Sequence, residues 1–382
     1  MSGIAEARIE DEGRALRLRW ADGAAARFHA VWLRDNCQDP QSRHPGSGQR
    51  LFDILDLPAD IRLASTKPMG EELEVGFAPD GHGTRFTSNW LRDHAYADTA
   101  PQMPGWLWAA IELWGAELAR DLPSLPYEEI RSDRRALLHW LDLVARYGFA
   151  MMTGAPCRPG TVIDVVSLFG FVRETNYGRL FDVRSEADPI NLAYTGLGLQ
   201  VHTDNPYRDP VPGLQLLHCL ANAAEGGDSV VVDGFRAALT LRAEQPQAFE
   251  LLTRHPVRFA YANAATRLEA RAPMIGLAAD GELTEVRFNN RSLAGIDAPA
   301  DVMAGFYAAY RSFALILERP ELELTFKLDP GDLFIVDNRR VLHGRKGFTS
   351  AGGRHLQGCY ADRDGLLSTG AVLQAELGGR QA

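Results

Sequence analysis

The sequence predicts a mainly β fold with flanking helices, a small all-β unit followed by a larger sandwich or barrel. Three observations carry this. The first hundred or so residues alternate apolar and polar side chains around Asp-Gly turns. From about residue 190 onward, short strand-like runs dominate. Few segments show helical spacing, which argues against a doubly wound parallel sheet.

The elements follow in order. Leu16, Leu18 and Trp20 alternate with Arg17 and Arg19, Asp22-Gly23 turns the chain, and Arg27-Phe28-His29 begins the return. Leu73, Val75 and Phe77 repeat the pattern, with a turn at Pro79-Asp80-Gly81 and a return through Thr84, Phe86 and Ser88. Between these pairs lie Trp32 to Cys37 and a stretch rich in Pro, Ser and Gly. The region 1–98 is therefore expected to be an accessory β domain. Residues 99–130, rich in proline, read as a linker in which Trp106 to Leu118 has some helical character. The second domain then spans 131–382. It opens on a helix capped by Ser132, with Leu137, Leu141 and Val144 inward, and a short buried strand from Gly148 to Thr153. Thr161 caps a second helix. Strands are expected at Gly213–Leu217, Ser229–Val232, Leu322–Phe326 and Asp332–Val336, and a helix from about Asp301 to Glu318. No internal repeat or low-complexity segment stands out.

Composition limits the function. The chain has 382 residues, 46% hydrophobic and 24% charged, with a net charge of −10. That balance repels phosphate backbones and anionic lipid, so nucleic-acid and membrane-surface roles are disfavoured. Apolar stretches fall well short of the roughly 20 residues of a membrane span, and the N-terminus does not read as a signal peptide. Four widely spaced cysteines suit a reducing compartment, and a cytoplasmic location is expected.

Two of the ten histidines lie in informative settings. In the extended run His202-Thr203-Asp204, residues two apart point to one side, so an imidazole and a carboxylate address one point. His343 follows a strong strand. Two histidines and one carboxylate leave three positions of an octahedral ion open. Such a site suits non-haem Fe(II) that binds a chelating co-substrate and O2. Arg354 lies eleven residues beyond His343. That odd offset places both inside a barrel if adjacent antiparallel strands carry them, where a guanidinium grips a carboxylate in two-point fashion.

With His202-x-Asp204, His343 and Arg354 in place, the sequence resembles the Fe(II)/2-oxoglutarate dioxygenases of the taurine dioxygenase superfamily. It is more closely similar to γ-butyrobetaine dioxygenase and its relatives. Trp32 to Cys37 and Gly48 to Leu51 resemble that family's accessory domain. Asn191 to Tyr194, Pro212 to Cys219, Gly226 to Ser229 and Phe288 to Asn290 resemble its catalytic core. The resemblance implies a double-stranded β-helix, a jelly roll, with iron held by His202, Asp204 and His343. It puts 2-oxoglutarate against Arg354, Ser229 and Leu217, and suggests ascorbate as reductant. The implied reaction consumes 2-oxoglutarate and O2, releases succinate and CO2, and hydroxylates an unactivated C–H bond.

For the substrate, the resemblance implies an aromatic cage around a trimethylammonium group. Tyr177, Tyr194 and Tyr360 match cage or pocket tyrosines, Phe181 replaces a Trp, and Asn205 replaces another Tyr. Asn191 belongs to the same pocket, and Asn289 matches a residue that holds the substrate carboxylate. Asn290 and Arg291 follow it, and the guanidinium favours a more highly charged anion. The run Asn289-Asn-Arg291, with Asp204-Asn-Pro-Tyr207, resembles the 2-(trimethylamino)ethylphosphonate dioxygenase type. That phosphonate is thus the favoured substrate, with γ-butyrobetaine and its product L-carnitine as the alternative. In the accessory domain, Cys37 and His82 match two of four zinc ligands, but Asp39 and Ser42 occupy the others, so no structural zinc is expected. The resemblance also implies a homodimer. Two readings of other classes compete: a zinc hydrolase using the same triad, which leaves Arg354 without a role, and a binding protein with a defunct metal site.

Overall fold

The computed structural model describes residues 3–96, 107, 110–184, 198–348 and 353–378. The chain divides into two units, Met1–Met103 and Pro104–Ala382.

The first unit holds two antiparallel three-stranded sheets. One runs β1 (Ile4–Glu10), β2 (Ala15–Trp20) and β3 (Ala25–His29), leading into helix α1 (Ala30–Asp35). The other runs β4 (Arg62–Met69), β5 (Glu72–Ala78) and β6 (Gly83–Thr87), leading into α2 (Ser88–Asp93). Leu16, Leu18, Phe28, Leu73, Val75 and Phe86 share one core, as their alternation requires. The structure exposes a repeat that the sequence reading missed. Trp-Leu-Arg-Asp recurs at 32–35 and 90–93, each time closing a three-stranded meander. The two arginines cross over: Arg34 Nε donates to Asp80 at 2.7 Å, and Arg92 NH1 donates to Asp22 at 2.7 Å. Each acidic partner sits in the turn of the other meander, and Trp32 and Trp90 lie 5.6 Å apart between them.

The second unit begins with β7 (Ser124–Pro126), α3 (Tyr127–Ser132), α4 (Arg134–Tyr147), β8 (Phe149–Thr153), α5 (Thr161–Val166) and β9 (Phe181–Arg184). Next come β10 (Leu199–His202), β11 (Leu214–Asn222), β12 (Ser229–Asp233), α6 (Gly234–Glu244) and α7 (Pro246–Arg254). Two hairpins, β13 (Val257–Ala262) with β14 (Arg267–Ala272) and β15 (Ile275–Leu277) with β16 (Leu283–Val286), precede α8 (Ala300–Leu317). The chain ends on β17 (Glu323–Phe326), β18 (Leu333–Asp337), β19 (Val341–Arg345), β20 (Arg354–Ala361) and α9 (Arg363–Gly378).

Two sheets form the sandwich, ordered β10-β19-β12-β17 and β7-β8-β18-β11-β20-β9. Phe149, Leu217, Val231, Leu324, Phe334, Val341 and Leu356, drawn from both sheets, pack into one apolar layer between them. On β11, Leu217 and Cys219 enter this layer while Leu214 and Leu216 face a second core with Trp140, Val144 and Val165. β18 is buried along its whole length, and its first four residues, Leu333 to Val336, read as an unbroken apolar run.

Several expectations need correction. Residues 111–130 are no linker: Trp114 is buried in the inter-sheet layer and β7 pairs with β8. In the described part of the expected helix at 106–118, residues 111–115 have no regular structure and a single 3-10 turn begins at Ala116. Asp133 caps α4 by accepting from the Arg135 N–H, whereas Ser132 bonds back to Glu128 at the end of α3. Gly160 precedes α5, and the Thr161 hydroxyl donates to Pro156 O.

Candidate active site

β10 and β19 pair so that His202 stands directly opposite His343, with the ring centroids 4.6 Å apart. Asp204 follows β10. Its Oδ1 lies 3.3 Å from His202 Nε2 and its Oδ2 lies 4.0 Å from His343 Nε2. Ligand atoms of all three fall within 4.8 Å of one another. His202 Nδ1 donates to Gln200 O at 2.9 Å, which fixes the tautomer and leaves the Nε2 lone pair facing the cluster. Burial, with the neighbouring His202, pushes His343 down to about 3, so it is neutral at neutral pH. Burial alone would raise the Asp204 carboxyl, but the adjacent imidazoles and the Tyr360 hydrogen bond hold it well below the usual range. Two imidazoles and one carboxylate fit a divalent iron that keeps positions open.

Asp204 is anchored further. Its backbone N–H donates to Asn338 Oδ1 at 2.7 Å, and Asn338 Nδ2 donates back to Asp204 O at 2.9 Å. Gln215 Nε2 and the Tyr360 hydroxyl both donate to Asp204 Oδ2, at 2.7 and 2.8 Å.

The triad opens on a cavity of about 290 Å³. Arg354, Ser229 and Leu217 line it, as does Arg345, which the sequence reading passed over. Arg354 is buried and its Nε has no hydrogen-bond partner among the described residues. Burial, and then the Arg354 charge, pushes Arg345 down to about 10. Arg354 does not reach the cavity from a strand adjacent to that of His343. β19 and β20 lie in different sheets, and residues 346–353 link them, so the arginine faces the triad across the sandwich. The sequence offset alone did not distinguish the two routes.

Tyr177, Phe181, Asn205, Asn289, Arg291 and Tyr360 also line the cavity. Asn191 and Tyr194 lie outside the described residues. Asn290 does not join them. It is exposed in the turn that the Ser292 and Leu293 N–H groups close onto Asn289 O, and its side-chain oxygen accepts from the Tyr310 hydroxyl at 2.6 Å. Arg291 lines the cavity while remaining open to solvent. Two tyrosines were missed. Tyr207 stacks on Tyr261 at 5.1 Å, and Tyr177 approaches Tyr261 at 6.0 Å. The Tyr177 and Tyr207 hydroxyls lie 3.0 Å apart, and Tyr207 donates to Asn205 Oδ1 at 2.6 Å. Asn205 has φ 52°, a left-handed conformation that asparagine tolerates better than most residues.

In the first unit, Cys37, Asp39 and His82 also converge. His82 Nε2 is engaged by Asp39 at 3.0 Å and lies 3.3 Å from Ser42 Oγ. Burial pushes the Cys37 thiol up to about 12. A single cysteine and a single histidine, with Asp39 and Ser42 at the other two positions, fit a structural zinc poorly, since such sites are built from thiolates and imidazoles.

Comparison with known proteins agrees with this geometry. Residues 101–360 match the family described as taurine catabolism dioxygenase TauD, TfdA family, and residues 7–92 match the γ-butyrobetaine hydroxylase-like N-terminal domain. A γ-butyrobetaine dioxygenase of Pseudomonas sp. (strain AK-1) is 40% identical over 361 residues, 93% of this chain and 92% of its own. The γ-butyrobetaine dioxygenase of Homo sapiens is 32% identical over 385 residues, 98% of each chain. The mitochondrial trimethyllysine dioxygenase of Homo sapiens is 34% identical over 363 residues, 91% of this chain and 83% of its own. The chain therefore belongs to the TauD/TfdA family, with a γ-butyrobetaine hydroxylase-like N-terminal domain, and is an Fe(II)- and 2-oxoglutarate-dependent dioxygenase.

Proposed function

We propose that the enzyme hydroxylates a C–H bond of γ-butyrobetaine, a small trimethylammonium carboxylate, to give carnitine. The aromatic enclosure of Tyr177, Tyr207, Tyr261 and Phe181 beside the triad is the observation that carries this reading. Ring faces attract a diffuse quaternary cation that donates no hydrogen bonds. The γ-butyrobetaine and trimethyllysine dioxygenases among the relatives support the same substrate class.

In this reading His202, Asp204 and His343 hold Fe(II), which supplies the oxidative decarboxylation of 2-oxoglutarate and the C–H hydroxylation. Arg354 receives the far carboxylate of 2-oxoglutarate, and its Nε, without a partner among the described residues, supports that role. Ser229, opposite Arg345 on the neighbouring strand, offers a hydroxyl beside it. The tyrosine cluster orients the cation, so that the carbon chain points at the triad and water is kept out.

Arg291 supports a second reading, 2-(trimethylamino)ethylphosphonate. Its guanidinium lines the cavity and has no ion-pair partner among the described residues, so it is available to an anion of higher charge. A succinate-release screen across γ-butyrobetaine, 2-(trimethylamino)ethylphosphonate, 2-aminoethylphosphonate and taurine separates the two. Strongest release with γ-butyrobetaine is expected, and release with the phosphonate alone would transfer the assignment to it. A homodimer belongs to the same proposal. Leu51, Ile54 and Leu55 in the first unit, exposed at 53%, 60% and 90%, offer it apolar surface. Light scattering should give twice the chain mass; a monomer mass removes that part.

A further inference from the structure

We propose that Gln215 and Tyr360 are positioning residues that make Asp204 a one-oxygen metal ligand, so that iron affinity depends on two hydrogen bonds from the opposite sheet. Asp204 follows β10 in the four-stranded sheet, whereas Gln215 and Tyr360 stand directly across from each other on β11 and β20 in the six-stranded sheet. Their donors converge on Asp204 Oδ2, at 2.7 Å from Gln215 Nε2 and 2.8 Å from the Tyr360 hydroxyl. Oδ1 receives neither and faces His202 Nε2 at 3.3 Å. Two donors on Oδ2 occupy its lone pairs and leave Oδ1 to the metal.

Local chemistry supports this role over a packing role. Gln215 is 2% exposed on a strand whose neighbours are Leu214, Leu216 and Leu217. Its Oε1 has no partner among the described residues, so the carboxamide is satisfied there at one end, the end that meets Asp204. Leucine would fill the position without stranding an oxygen. The Asp204 backbone is fastened separately by Asn338, so losing Gln215 or Tyr360 frees the carboxylate to rotate while the chain stays in place. The sequence reading matched Tyr360 to a cage or pocket tyrosine. Its ring does lie 5.1 Å from Phe181 in the cavity wall, but its hydroxyl is committed to the metal ligand.

This inference rests on the iron reading, and the experiment keeps the two apart. Fe(II) binding is measured by anaerobic calorimetry on the full-length native protein, Gln215→Leu and Tyr360→Phe, with thermal melting of each metal-free protein as a check of folding. Each variant is expected to bind Fe(II) about 10–100-fold more weakly while melting as a folded protein, with turnover recovering at excess Fe(II). If Gln215→Leu does not fold, Tyr360→Phe, which removes a single oxygen, decides the matter. Folded variants that bind Fe(II) within about twofold of the native protein overturn the proposal. Native protein that binds no Fe(II) overturns the iron reading itself, and this inference with it.

Discussion

Arg354 shows how much one side chain tells at this site. It is buried beside Arg345, against the electrostatic preference of two cations, and its Nε lacks a partner among the described residues. That arrangement makes sense where an anion arrives. Arg354→Ala should raise the apparent KM for 2-oxoglutarate about tenfold or more, since hydrogen bonds to charged groups are worth about 1.5–3 kcal/mol. An unchanged KM would refute the assignment. Arg291→Ala should weaken a phosphonate substrate more than its carboxylate analogue, and equal losses would end the case for the phosphonate. Both arginines were legible in the sequence, Arg354 from its position after His343 and Arg291 from the family resemblance of the run Asn289-Asn-Arg291. Gln215 and Tyr261 were not, because a glutamine or tyrosine inside a strand reads as packing until its partner is known, and Tyr207, in a turn after β10, was visible only as part of a motif.

At the scale of elements, the strand pairing sets the distance between the two histidines. A Cβ on Gly344 would lie 2.5 Å from Leu199 O and 3.0 Å from Val201 N, so glycine there lets β19 approach β10 closely. Gly344→Ala should spread the pair, cost about 1–3 kcal/mol of stability and weaken Fe(II) binding. Native melting temperature and native iron affinity together would contradict this. The strands of the second unit were legible as apolar runs bounded by turns. Which strands are neighbours was not, because register and sheet order depend on contacts distant in sequence. The pairing of His343 and Arg354 failed for that reason. Helix starts were misread by one residue, since Ser132-Asp133 and Gly160-Thr161 each offer two plausible caps and tertiary packing chooses between them.

Over the whole molecule, the net charge of −10 coexists with a cavity lined by Arg291, Arg345 and Arg354. Overall charge thus argued against polyanion partners while leaving a site for small anions. The cysteines follow a similar division. Cys157 is exposed, whereas Cys37, Cys219 and Cys359 are buried, their thiols pushed up by burial to about 12, 11 and 12. Iodoacetamide at neutral pH should therefore give one adduct on the native protein, at Cys157. Rapid labelling of a second cysteine would contradict the described burial. The central claim is a reaction in which 2-oxoglutarate, O2 and a trimethylammonium substrate become succinate, CO2 and a hydroxylated product. Turnover under 18O2 with Fe(II), ascorbate, 2-oxoglutarate and γ-butyrobetaine tests it most directly. One labelled oxygen in succinate and one in the hydroxylated product are expected; turnover with no label in either, or no substrate-stimulated succinate at all, would contradict the account.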